Sequence, residues 1–414
     1  MDLIVRNARR RHHAGLVDIG IAEGRIQRIE PRLAERATRE IDAGGCLTTE
    51  SFVEPHIHLD KALTAGRARE NPTNVFEESI AIMREVKRGY TVDDVAARAT
   101  RVIHGLVGHG VTFVRSYVDV DSIVGLTALE GVLAARERCR HLAHIELIAF
   151  PQEGILCDPG TEDLMVKAIE RGADVVGGMP FAEMIDADCR RHTDLVFEIA
   201  LRFDRDIQMH VDETDDPGAT TLHYYAVKAL REGWAGRVAA DHVTALAAYN
   251  DTYAAQVIGL VARARMSVVT LPSKLMRGGI RDREPRRRGI TRVKELIAAG
   301  VNMAYGQDVI QDGFIPVFGT GDPLQVGFLL AFAAQFSTRA DIDTLYDMAT
   351  VNGARLMRLD NYGLEVGRRA DLVVVDAPSV QEAYRTQPAR VAVIHDGRLV
   401  AEHGQIVTGS GFDF

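Results

Sequence analysis

Apolar positions along this chain follow two rhythms. At both ends they form short runs broken by polar or glycine turns. DLIVR (2–6), LVDIGIA (16–22) and RIQRIE (25–30) read as strands at the start; DLVVVDA (371–377), RVAVIHDGRLV (390–400) and QIVTG (405–409) read as strands at the end. The Asp396-Gly397 pair is a hairpin signal. Two β-rich ends around a long middle predict one small β-sandwich built from both termini.

The middle alternates between strand-length apolar runs and longer amphipathic stretches. The runs are SFVEP (51–55), VTFVRS (111–116), IELIAF (145–150), DVVGG (174–178), DIQMHV (206–211), RVAADH (237–242), SVVTLP (267–272) and NMAYG (302–306). Stretches such as 127–140, 161–171, 194–203 and 291–299 are rich in Ala, Leu, Glu and Arg and read as helices. Eight β–α units with buried strands predict an α/β fold, a (β/α)8 barrel of the TIM type. The expected division is residues 1–50 and 362–414 for the sandwich and 51–361 for the barrel. An open doubly wound sheet would want a glycine-rich phosphate loop after its first strand; His56-Ile57-His58 stands there instead. DREPRRR (282–288) is a charge cluster, read as a solvated loop on the barrel.

Composition narrows the class. The chain has 414 residues, 46% hydrophobic and 26% charged, with a formal net charge of −9, and it carries no basic tract. That argues against nucleic acid or an anionic membrane as partner. No apolar run is long enough to span a bilayer, and the first residues lack the apolar core of a signal peptide. Cys46, Cys139, Cys157 and Cys189 are scattered, with no CxxC pair, which fits a reducing cytoplasm and argues against a structural zinc site. A homo-oligomer is the expected state.

In such a barrel, chemistry gathers at the C-terminal ends of the strands. His56 and His58 end the first strand, and residues i and i+2 of a strand face the same way. His210 ends the fifth, His242 ends the sixth, and Asp308 follows the eighth. Imidazoles with a carboxylate suit Zn²⁺ or Fe²⁺, and such an ion brings the pKa of a bound water toward neutrality. A nearby carboxylate must then move protons; Glu213 lies three residues past His210. One histidine on a strand means little. The joint placement of these four separates them from the rest, His192 and His223 among them, which read as incidental.

Longer segments carry a family likeness. FVEPHIHLDKALTAGR (52–67), AFPQEGIL (149–156), GADVVGGMP (172–180), HVDETDD (210–216), RVAADHVTALAAYNDTY (237–253), RRRGITRVKELIAAGVNMAYGQD (286–308) and YGLEVGRRADLVVVDA (362–377) resemble, in order, the cytosine deaminase subgroup of the amidohydrolase superfamily. The resemblance implies one divalent metal ion, Zn²⁺ or Fe²⁺, on His56, His58, His210 and Asp308. It implies Glu213 as proton shuttle and His242 as the residue that orients the water. Gln152 would read the amide edge of a pyrimidine.

Binuclear relatives use a lysine at the fourth strand, and residues 174–180 contain none. The separate zinc deaminases with HxE and PCxxC motifs are excluded by the cysteine pattern. Three positions depart from the subgroup: Val309 where a second Asp is common, Tyr117 in place of a His, and Phe314 where Trp is common. All three are expected beside the substrate ring. FIPVFGTGDPLQ (314–325) also resembles the isopropylammelide amidohydrolases, but those lack the counterpart of Glu213.

The implied reaction is hydrolytic deamination of a small aminated N-heterocycle, cytosine or 5-methylcytosine first. The alternatives are an amidohydrolase acting on an aminotriazine or cyclic amide, and an inactive scaffold.

Overall fold

Eight parallel strands form in the expected order: Phe52–His58, Val111–Asp119, His144–Phe150, Val175–Val176, Ile207–Val211, Val238–His242, Ser267–Thr270 and Asn302–Tyr305, each paired with the next. The computed structural model describes residues 1–73, 75–276 and 289–407; the charge cluster at 282–288 lies outside them. Parallel strands buried on both faces need apolar side chains on both, which is why they read as unbroken runs. Every residue of Val111–Asp119 is buried. The fourth strand has only two residues. The chain just past it passes too close to its neighbours for a side chain: a Cβ on Gly177 would sit 2.5 Å from the Ala149 carbonyl oxygen.

The last strand returns to the first. The His58 amide donates to the Asp308 carbonyl at 3.0 Å, and the Asp308 amide donates to the His56 carbonyl at 2.9 Å. A Cβ on Gly306 would meet Glu54 Oε1 at 2.7 Å, so this approach requires glycine there. Main-chain pairing therefore delivers Asp308 to the two histidines of the first strand.

Helices fill the crossovers. Asp186–Phe203 begins eight residues before the stretch the sequence suggested. Thr91 caps Val92–Gly108 by accepting from the Asp94 amide, and Asn250 caps Asp251–Arg263 through the Tyr253 amide. No helix among the described residues is long and apolar enough to cross a membrane.

The chain ends make two sheets. One has four strands, in the order Arg25–Glu30, Val17–Ala22, Leu3–Ala8, Arg39–Asp42; the other has five, in the order Gln405–Ile406, Arg398–Glu402, Arg390–His395, Leu372–Val375, Leu47–Glu50. Leu3, Val5, Ile19, Ile21 and Ile26 pack against Leu372, Val374, Ala392 and Ile394. Each such aliphatic side chain contributes roughly 1.5–3 kcal/mol when fully buried. Only Ser51 separates Leu47–Glu50 from the first barrel strand, so the sandwich joins the barrel at the N-terminal end of that strand.

Candidate metal centre and substrate cavity

The strand ends bring His56, His58, His210 and Asp308 together, with one ligand atom from each lying within 4.8 Å of every other. His210, Glu213 and His242 form a second such group that shares His210. The His56 and His210 ring centroids are 4.7 Å apart, and those of His210 and His242 are 4.6 Å apart. His242 and Asp308 both hold left-handed backbone, at φ 66° and 68°. Non-glycine residues adopt this conformation at a cost of about 1–2 kcal/mol, and surrounding structure must impose it.

Asp241 fixes the first imidazole. His56 Nδ1 lies 2.6 Å from Asp241 Oδ2, and the same oxygen accepts from the Tyr117 hydroxyl and from Gln208 Nε2, each at 2.7 Å. Nδ1 therefore keeps its proton on Asp241, and Nε2 is the nitrogen that faces Asp308 and the cluster. Burial opposes a charge on His56, but Asp241 and Asp308 outweigh it and raise its pKa to about 9. Burial, reinforced by neighbouring cationic groups, holds His58, His210 and His242 well below the usual histidine range. Burial pushes Asp308 up, but the His56 hydrogen bond and the charge of Lys274 outweigh it and keep the carboxylate ionised.

These residues fit a divalent ion. Among the described residues, His210 Nδ1 and both His242 ring nitrogens are buried without a hydrogen-bond partner. Each unsatisfied buried group costs on the order of 1–3 kcal/mol, and folded proteins rarely collect several in one place. Imidazoles that burial holds neutral at His58 and His210, His56 once it yields its Nε2 proton, and the ionised Asp308 form the donor set that Zn²⁺ or Fe²⁺ takes.

Beside the cluster lies a cavity lined by His58, Lys61, Gln152, His210, Glu213, Lys274, Asp308, Val309 and Phe314. Glu213 forms an ion pair with Lys274, and its Oε2 is 3.7 Å from His242 Nε2. Burial raises the Glu213 pKa; Lys274 opposes the rise. Val309 and Phe314 pack with Met83 and Ile315 as the apolar wall. Gln152 lines the cavity. Tyr117 does not: it is fully buried behind the histidines, 4.3 Å from the His210 ring centroid, with its hydroxyl on Asp241.

Several functional-looking residues escaped the sequence reading. In the sequence Asp241 differs from its neighbours only as a charge inside an apolar strand. Lys61 and Lys274 gave no signal beyond their closeness to strand ends. His192, set aside as incidental, accepts from the Met179 amide through Nε2 at 3.0 Å and bonds Glu183 through Nδ1 at 2.7 Å. Glu183 in turn accepts from the amides of Ile155, Leu156 and Cys157 at 2.7–3.1 Å, pinning the loop that begins with Gln152.

Known proteins are similar to this chain over nearly its whole length. The pattern of the amidohydrolase family matches residues 64–401. An N-isopropylammelide isopropyl amidohydrolase of Pseudomonas sp. (strain ADP) is 32% identical, covering 98% of this chain and 98% of its own. The structure of a 5-methylcytosine deaminase from Klebsiella pneumoniae liganded with 5-fluorocytosine superposes with a TM-score of 0.92 at 34% identity, covering 99% of both chains. That of an N-isopropylammelide isopropylaminohydrolase from Burkholderia multivorans gives 0.86 at 30% identity, covering 98% of this chain and 100% of the other.

Proposed function

The chain belongs to the amidohydrolase family, and from that footing we propose that it is a metal-dependent hydrolytic deaminase of a small aminated N-heterocycle, with 5-methylcytosine and cytosine the first candidates. The reaction replaces the ring amino group with oxygen and releases ammonia. His56, His58, His210 and Asp308 would hold one divalent ion. When bound, such an ion activates a water for attack near neutral pH.

The chain's own groups do the rest. Glu213 stands on the cavity wall, where it can protonate the ring nitrogen next to the aminated carbon and then the departing amine. His242, within 3.7 Å of Glu213, orients the attacking water. Gln152 reads the ring edge, and Phe314 and Val309 supply an apolar wall. Barrel residues 51–361 carry the site, and the sandwich of 1–50 and 362–414 serves as its scaffold.

The observation that carries this reading is the Glu213 carboxylate on the cavity wall beside buried histidines with unspent lone pairs. A second reading, removal of an alkylamine from a triazine ring, is favoured by the 32% identity to the Pseudomonas protein. A panel of cytosine, 5-methylcytosine, aminotriazines, creatinine and pterins, assayed for ammonia and for alkylamine, separates the two. Val309 offers a ring methyl an apolar surface worth on the order of 1 kcal/mol. The expected outcome is ammonia release, with kcat/KM for 5-methylcytosine at least equal to that for cytosine and the preference reversed in Val309→Asp. Strong preference for unsubstituted cytosine would overturn the substrate assignment; alkylamine without ammonia would overturn the reaction.

A further inference from the structure

One buried amide holds His56 from two sides. Gln208 stands two residues before His210 on the fifth strand, so both side chains point into the barrel, with Gln208 one layer deeper. Branched apolar side chains ordinarily fill that interior. Gln208 is fully buried there, and its whole amide is engaged. Nε2 donates to the Pro55 carbonyl at 3.0 Å and to Asp241 Oδ2 at 2.7 Å, and Oε1 accepts from Arg115 at 3.0 Å.

Both acceptors belong to the setting of His56. The Pro55 carbonyl is part of the peptide that leads into His56, and Asp241 Oδ2 holds the His56 ring at 2.6 Å. Asp241 is held through that one oxygen, since its Oδ1 has no hydrogen-bond partner among the described residues. Gln208 and Tyr117 are therefore what keeps the carboxylate from turning. The amide itself can sit only one way. A guanidinium only donates, and the flipped amide would set Oε1 against a carbonyl and a carboxylate. Arg115 is 3% exposed and is anchored by Glu146 at 2.6 Å. Buried ionic and polar groups of this kind stabilise a fold little better than an apolar filling of the same volume. What they supply here is position.

We propose that Gln208 is a positioning residue of the metal centre: its two N–H groups lock the main chain and the carboxylate that together aim His56 Nε2 into the cluster, with Arg115 and Glu146 as the anchor. Gln208 does not line the substrate cavity and acts only through His56. This rests on the reading of His56 as a metal ligand.

The test reads metal affinity and fold stability separately. Metal-depleted protein is titrated with Zn²⁺ against a chromogenic chelator, and the same metal-free protein is unfolded in urea. Gln208→Met removes both donors at similar length. Its Zn²⁺ affinity should fall about tenfold or more, the scale set by groups that orient a metal-ligating histidine. Gln208→Glu keeps the length and the acceptor for Arg115 but loses both N–H groups, and it carries the same prediction should the apolar variant not fold. Glu146→Gln removes the charge that anchors Arg115 while leaving the Arg115 bond to Gln208; it should lower the urea midpoint and leave Zn²⁺ affinity near the wild-type value. In an Asp241→Asn background, Gln208→Met should cost less affinity than it does in the wild type, because the two act on one ring. Affinity that simply follows the urea midpoint through all three single variants would reduce Gln208 to a structural role and overturn the proposal. So would full additivity with Asp241→Asn. A wild type that binds no Zn²⁺ overturns the metal-ligand reading and the proposal together; one that binds an ion no more tightly than either Gln208 variant overturns the proposal alone.

Discussion

The two ends of the barrel spend their polar groups differently. At the N-terminal end of the strands lies a cleft larger than the cavity at the mouth, lined by Arg115, Glu146, Asp174, Asp206, Arg237 and Arg358. Its charges satisfy one another. Arg115 pairs with Glu146 at 2.6 Å, Arg237 pairs with Asp206 at 2.8 Å, Arg358 reaches the same aspartate at 2.9 Å, and Arg136 holds Asp174 at 2.8 Å. At the mouth, His210 Nδ1 and both His242 ring nitrogens have no hydrogen-bond partner among the described residues. Size does not mark the functional end; unspent hydrogen-bonding and ligating capacity does. A polar thread joins the two. Arg115 donates to Gln208 Oε1 at 3.0 Å, and Gln208 donates to Asp241, which fixes His56.

The contrast can be broken in graded steps. Glu213→Gln keeps the shape of the wall but removes the proton carrier, so kcat should fall by about 10²–10⁴ with metal retained. Near-normal turnover would mean that another group moves the protons. Asp241→Asn weakens the partner of His56; groups that orient metal-ligating histidines typically contribute about 10–100-fold in affinity. Competition with a chromogenic chelator should show that weakening, and an unchanged affinity would sever Asp241 from the centre. At the far end, Arg237→Met removes partly buried pairs with Asp204 and Asp206 and should leave kcat/KM as it was, with the loss confined to stability in urea unfolding. A large loss of activity there would erase the distinction between the two ends.

What the sequence made legible follows from physics. Buried parallel strands write themselves as apolar runs, so all eight were found, and with them the histidines at their ends. The strands Arg39–Asp42 (REID) and Leu47–Glu50 (LTTE) went unseen because they are polar or mixed and owe their form to pairing with Leu3–Ala8 and Leu372–Val375. Asp241 acts on His56 across 185 positions, and Lys61 on Gln152 across 91. No local pattern encodes such a partnership; only barrel closure creates it. At Tyr117 the departure from the subgroup was visible, but the direction of the phenol was not, since the Asp241 carboxylate that draws it inward is placed by a different strand.

The central claim is that His56, His58, His210 and Asp308 hold one ion on which turnover depends. Metal analysis of the purified protein, coupled to an ammonia assay before and after chelation and on re-addition of Zn²⁺ or Fe²⁺, tests it most directly. The account predicts about one divalent ion per chain, loss of turnover on its removal and recovery on its return. A stoichiometry of two, or full turnover by the stripped protein, would contradict it.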